Sequence, residues 1–255
     1  MNKTRIDWCD STWNPVTGCQ HGCEYCYARS IANRFGGYSA VGDIKTTFNP
    51  FMNLPELDKA VVIKRKNGHI TDAPYPFGFT PTLHRYRLND YIYKKDRNIF
   101  VCSMADLFGE WVPDEWIEEV FKACDKAPQH NYLFLTKNPT RYDYLHRKGI
   151  LRKRENMWYG YSITTDKDYY WQCSQYNIFA SIEPLLEPVA IPPCDWVIIG
   201  AETGRRKDKV IPKREWIEEI EMKCWETCTP IFMKSSLTDI LGEPLIQELP
   251  EELKQ

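Results

Sequence analysis

No stretch of this 255-residue chain is apolar for long enough to span a bilayer, which argues against a membrane-spanning helix. Its first residues, Met1-Asn2-Lys3-Thr4, open no signal-peptide apolar run, so a cytoplasmic location is expected. Charge of one sign is also missing. The 33 Lys and Arg nearly balance 35 Asp and Glu, leaving a net charge of −2, so no global positive field points to nucleic acid and only a local basic patch would serve that purpose. No Gly-x-Gly-x-x-Gly follows the first candidate strand, which leaves a dinucleotide-binding domain unsupported. Low-complexity tracts and long linkers are absent. Hydrophobic residues at 43% and charged residues at 27% are the balance of a soluble chain with a sizeable core, and the length fits one large domain.

Cysteine, by contrast, is plentiful. Ten in a chain of this length without an export signal do not read as a disulfide framework. Reduced thiols act as metal ligands, reactive groups or small core hydrophobes, so each is read by its context. Cys102, Cys124, Cys173 and Cys194 stand in apolar stretches and are assigned to packing. Cys224 and Cys228 lie at helical i, i+4 spacing without a third partner, and Cys9 stays unassigned.

Apolar runs rich in β-branched and aromatic residues predict strands over 99–103, 132–136, 157–163, 178–182, 196–200 and 231–234, with a weaker one over 12–17 that Pro15 interrupts. Most lack polar alternation, as parallel strands covered on both faces do. Asp114 is placed to cap a helix running to about Ala127, and Trp216–Cys228 repeats the pattern. Trp116-Ile117-Glu118-Glu119-Val120 is echoed by Trp216-Ile217-Glu218-Glu219-Ile220. Strand, loop and helix recurring about six times predict a parallel α/β architecture, either a barrel or an open sheet. Residues 35–98, rich in Gly, Pro, Asn and Tyr, read as an insertion near an active-site mouth.

The densest chemical signal is Cys19-Gln20-His21-Gly22-Cys23-Glu24-Tyr25-Cys26, which follows the weak strand and precedes a helix expected near Tyr27. Three thiolates on one tight loop can hold three corners of an iron–sulfur cubane, with Gly22 letting the backbone wrap closely. A fourth thiolate, usual in electron carriers, is missing from the run, which leaves one iron open to an exogenous ligand. Zinc is the other reading, with His21 or Cys9 as fourth ligand.

With Tyr25 directly before the third cysteine, the loop resembles the signature of the radical S-adenosylmethionine (radical SAM) superfamily. Its surroundings resemble a narrower phage and prophage group, through Trp13-Asn14-Pro15-Val16-Thr17-Gly18-Cys19 and Cys26-Tyr27-Ala28. Further matches are Ser103-Met104-Ala105-Asp106-Leu107-Phe108, Leu135-Thr136-Lys137-Asn138-Pro139, Ile182-Glu183-Pro184-Leu185-Leu186 and Gly200-Ala201-Glu202-Thr203-Gly204. The layout is also distantly similar to spore photoproduct lyase, whose Thr-Lys-Ser appears here as Thr136-Lys137-Asn138. The resemblance implies a partial (β/α)6 TIM-like barrel with the cluster loop after its first strand, and an enzyme with two cofactors, a 4Fe-4S cluster on Cys19, Cys23 and Cys26 and S-adenosylmethionine on the open iron. It also implies reductive cleavage to a 5′-deoxyadenosyl radical, hydrogen abstraction from an unidentified substrate, and an external electron donor such as flavodoxin or ferredoxin. Tyr25, Ser103, Asp106, Lys137 and Ser162 would then line the cofactor, Asp106 facing its ammonium and Ser162 its ribose or carboxylate.

Polar residues end the later strands, where α/β barrels build active sites. Asp106 alternatively caps its own turn. Lys137 suits a carboxylate or phosphate. Glu183, Glu202 and Lys234 are the catalytic candidates, for substrate contact or proton transfer, with Lys234 free to pair with either glutamate. Tyr86, Tyr91, Tyr93 and Trp111 lie among Arg85, Arg87, Lys94 and Lys95, a mixture that stacks on bases and contacts phosphates in single-stranded nucleic-acid binders; a packed, tyrosine-rich insertion reads equally well. A nucleic-acid or nucleotide substrate and a non-catalytic zinc or iron–sulfur interaction module are therefore both carried forward.

Overall fold

The computed structural model describes residues 4–36, 46–64, 67–204 and 206–254. Residues 1–3 and the 37–45 and 65–66 parts of the expected insertion lie outside them. The chain divides into two compact units, one made of Met1–Thr12, Lys95–Phe100 and Gln129–Gln255, the other of Trp13–Lys94 and Val101–Pro128. Among the described residues no helix is long and apolar enough to cross a membrane.

In chain order the elements begin with β1 (Ser11–Trp13), β2 (Val16–Thr17), α1 (Tyr27–Phe35), β3 (Thr47–Phe48), β4 (Pro55–Leu57), β5 (Val62–Lys64), β6 (Ile70–Asp72), β7 (Thr82–His84) and β8 (Asn98–Val101). There follow α2 (Asp114–Asp125), β9 (Asn131–Thr136), α3 (Thr140–Arg147), β10 (Met157–Ser162), β11 (Asn177–Ile182), β12 (Trp196–Ile199), α4 (Arg214–Glu226), β13 (Ile231–Met233) and α5 (Thr238–Leu241). The predicted 12–17 strand is cut in two at Pro15, which has no N–H to give a ladder. Its first half stays with the main sheet, and its second half pairs antiparallel with β7.

The first unit is built on a seven-stranded sheet of order β1-β8-β9-β10-β11-β12-β13, parallel in every pair from β9 to β13. Strand register sets its core. Trp158 stands beside Leu133, Phe179 beside Trp196 and Ile198 beside Phe232, so large side chains of alternate positions share one face with Trp8 and Phe100. Gly160 makes room there, since a Cβ would lie 2.2 Å from the ring of Phe179. Cys9, unassigned from sequence, packs against this core.

The expected helix after every strand is not found. Residues 163–176 and 183–195 link β10 to β11 and β11 to β12 without one. Pro184, Pro188, Pro192 and Pro193 forbid continuous helical hydrogen bonding in the second link. In the first, Asp168 accepts from the backbone of Thr164 and Thr165 and from the Thr164 hydroxyl, fixing a turn instead. Cys173 lies in this link, outside any strand or helix, which corrects its assignment to an apolar element.

The second unit holds the four-stranded sheet β2-β7-β4-β3 and the hairpin β5–β6, so the predicted insertion has local structure of its own. Arg85 locks it by bonding Glu119 on α2 and Glu56 on β4, while the Trp116 indole donates to the same Glu56 at 2.6 Å. Arg87 donates to the carbonyls of Asn14 and Pro74, and Tyr91 is buried. Of the predicted base-stacking mixture, these arginines and Tyr91 are therefore internal, and Tyr93 is fully on the surface.

Candidate functional site: the cysteine loop and the strand-end charges

In the second unit the cysteine loop is anchored at its entrance by backbone. Gly18 sits at φ +88°, and a Cβ on it would lie 2.4 Å from the carbonyl of Thr80. Only glycine fits that turn and that approach. The Gly18 amide donates to Met104 O at 2.9 Å and the Cys19 amide to Phe79 O at 3.2 Å, so two separate segments hold the loop before the first thiol. Gly22 provides the second left-handed residue, at φ +76°. The Cys26 amide then closes the turn on Cys23 O.

Cys26 is also the N-cap of α1, with extended backbone and a sulfur that accepts from the Arg29 amide at 3.4 Å. Burial pushes the Cys19 thiol up to about 12, and the neighbouring charges of Asp106, Cys26 and Cys23 push in the same direction. The Cys19 thiol thus lies within electrostatic reach of Cys23 and Cys26, and none of the three is in a disulfide.

His21, between the first two cysteines, reaches Asp106 Oδ2 through Nε2 at 2.6 Å and stands edge-on to Trp111 at 4.8 Å. Asp106 is buried, and its Oδ1 accepts from the Phe108 amide at 3.0 Å. Its two oxygens therefore serve an imidazole and its own turn. Ser103 Oγ contacts Asn14 Oδ1 at 3.2 Å, the Met104 amide donates to that same oxygen at 2.9 Å, and the Ser103 carbonyl accepts from the Tyr27 hydroxyl at 2.8 Å. Asn14 and Tyr27 thus hold the turn that begins with Cys102 at φ +59°. Their motif, Trp-Asn-Pro and Cys-Tyr-Ala, was visible in the sequence; their roles were not. Tyr25 is half-buried in the loop.

The first unit carries the other candidates at the C-terminal ends of its strands. Lys137 follows β9 and Ser162 ends β10. Asp168, near enough to feel Lys137, is held below the usual carboxylate range, chiefly by its hydrogen bonds to Thr164 and Thr165 working against burial. Lys234, after β13, forms an ion pair with Glu183, after β11. Between them runs Gly200, where a Cβ would meet Lys234 Cδ at 3.0 Å, Ser236 Oγ at 3.2 Å and Glu183 Cδ at 3.3 Å. Glu202 takes a different cation. Arg206 grips it with two bonds of 2.8 and 2.7 Å and holds its carboxyl below the usual range.

Among the described residues no group of three or more His, Cys, Asp or Glu side chains converges as a single metal ion would require. Tetrahedral zinc needs four donors around one point, whereas thiolates of a cubane each hold a different iron.

Residues 3–238 match the family model described as "Protein of unknown function (DUF5131)", and the chain belongs to that family. No curated protein and no solved structure matches it.

Proposed function

We propose that this DUF5131 member is a radical SAM enzyme whose Cys19, Cys23 and Cys26 bind a 4Fe-4S cluster. The observation that carries the reading is the backbone-anchored loop that holds Cys19, Cys23 and Cys26, none of them in a disulfide, with Cys19 close enough to the other two to feel their charge. When bound, such a cluster with an open iron supplies the electron that cleaves S-adenosylmethionine to methionine and a 5′-deoxyadenosyl radical.

The chain's own residues do the rest. The Arg29 amide holds the Cys26 sulfur in place, and Cys19, whose proton burial retains, would have to give that proton up to ligate iron, so assembly of the cluster would release protons. Asp106 fixes the ring of His21 and thereby the shape of the loop. By the resemblance, Ser162 would contact the ribose or carboxylate of the cofactor, and the charge of Lys137 suits a carboxylate or phosphate of cofactor or substrate. Glu183 with Lys234, and Glu202 with Arg206, offer charged pairs for a polar substrate or for proton transfer at the strand ends. A partial barrel that lacks the helices of two of its links, an external flavodoxin- or ferredoxin-type donor, a cytoplasmic location and a nucleic-acid or nucleotide substrate belong to the same proposal.

The test is anaerobic reconstitution with iron and sulfide, followed by metal analysis and optical spectra of the wild type and of Cys19→Ser, Cys23→Ser and Cys26→Ser. The reading expects iron and sulfide in equal amounts in the wild type and their loss in each variant. Stoichiometric zinc in a colourless protein would overturn it and favour the binding-module alternative.

A further inference from the structure

On the face of the first unit's sheet opposite Trp158, four oxidisable rings form a closed circuit. Tyr142 and Tyr159 stand 5.4 Å apart between centroids, Tyr159 and Tyr176 5.5 Å, Tyr176 and Trp171 5.2 Å, and Trp171 and Tyr142 5.4 Å. Phe134 stacks on Tyr159 at 5.5 Å, so the circuit is seated on β9 and β10. Rings at these separations are in van der Waals contact, close enough for an electron to pass from one to the next.

The phenols differ in what they can do with a proton. Tyr142 Oη donates to the carbonyl of Gly160 at 2.9 Å and Tyr159 Oη to that of Arg152 at 2.6 Å. Neither carbonyl takes up a proton at neutral pH. Tyr176 Oη instead lies 2.9 Å from His146 Nδ1, a ring nitrogen that accepts a proton in the tautomer carrying its hydrogen on Nε2. His146 is on α3 and Tyr176 directly precedes β11, so two elements fix the pair. Burial raises the phenol above its ordinary range, which keeps it protonated and makes loss of the proton part of any oxidation. Tyr176 is half-buried, at the edge of a circuit whose other three rings are closed off from solvent.

We propose that Tyr176 is a redox-active tyrosine, the point where an oxidising equivalent entering this aromatic circuit comes to rest. A one-electron oxidant of the peroxide-derived kind removes an electron from the circuit. The Tyr176 proton moves to His146 Nδ1, leaving a neutral tyrosyl radical beside an imidazolium. A small thiolate reductant returns the electron, becoming a thiyl radical, and His146 returns the proton. The circuit thereby drains oxidising equivalents from the core to a reducible position. The proposal is independent of the iron–sulfur reading, since it uses residues of the first unit alone.

The test uses the purified, metal-free chain, oxidised anaerobically by flash-generated tris(bipyridine)ruthenium(III) and frozen for EPR. The proposal expects a tyrosyl signal that Tyr176→Phe largely removes, that His146→Leu weakens, and that Tyr169→Phe, a change at an exposed ring outside the circuit, leaves in place. Circular dichroism confirms the fold of each variant, and Tyr176→Phe deletes only an oxygen. An unchanged signal in Tyr176→Phe would overturn the proposal, as would a signal carried by Tyr169 or Tyr93. Wild-type yield in His146→Leu would overturn the role of the imidazole.

Discussion

The Nε2 of His21 lies 2.6 Å from Oδ2 of Asp106, joining the middle of the cysteine loop to a turn 85 residues further along the chain. Because the other oxygen of Asp106 caps Phe108, one carboxylate organises both segments. Asp106→Ala leaves the half-buried imidazole and the Phe108 amide without that partner, and is expected to destabilise the metal-free protein by about 1–3 kcal/mol. Asp106→Asn, whose Oδ1 can still accept from the Phe108 amide while its Nδ2 can donate to an unprotonated His21 Nε2, is expected to cost less. Urea midpoints of the two variants check the order; equal, wild-type midpoints would refute it.

Gly18 and Gly22 both have positive φ but differ in surroundings. Gly22 has open space where a Cβ would go, whereas Gly18 faces the Thr80 and Pro81 backbone. Gly22→Ala should cost about 1–2 kcal/mol, the usual penalty for a left-handed alanine. Gly18→Ala must in addition move backbone and should lose more stability and the cluster together. Denaturant unfolding with iron analysis compares the two.

Burial raises the thiols of Cys9, Cys19, Cys102, Cys194 and Cys224 to about 12 from an ordinary 9.0. The folded protein thus holds these protons more tightly than the unfolded chain does. Their contribution is intact below pH 9 and falls away as the pH rises through about 12, since the unfolded state deprotonates first. Denaturation midpoints of the metal-free protein should decline across that window, and Cys194→Ala should reduce the slope. A flat profile would contradict the assignment.

Lys234→Met removes the cation facing Glu183 while keeping much of the side-chain volume. The carboxylate then stands partly buried without its partner, at an expected cost of about 1–3 kcal/mol. The double variant Lys234→Met with Glu183→Gln should recover part of that loss. Thermal unfolding of the wild type, the two single variants and the double variant measures the coupling.

The strands of the seven-stranded sheet were legible because each is a short, nearly unbroken apolar run, and its parallel pairing followed from their lack of alternation. By contrast β3 to β7, two or three residues long, gave no such run. The cysteine loop was legible because its three cysteines are local in sequence. The bonds that hold it were not. Asn14 with Met104, His21 with Asp106 and Gly18 with Met104 join segments some 85 to 90 residues apart, and no periodicity records such a pairing. The missing helices beyond β10 and β11 were partly visible as prolines in the second link. The turn organised by Asp168 had no comparable signal. Cys173 looked apolar from its neighbours Tyr169, Tyr170 and Trp171, yet of these only Trp171 is buried.

The central claim is that the three cysteines leave an iron open to S-adenosylmethionine. It is tested most directly by EPR of the reconstituted, dithionite-reduced protein without and with that compound. The account predicts a reduced 4Fe-4S signal that changes on addition and is absent when Cys19, Cys23 or Cys26 is replaced by Ala. A cluster whose signal is indifferent to S-adenosylmethionine would contradict it.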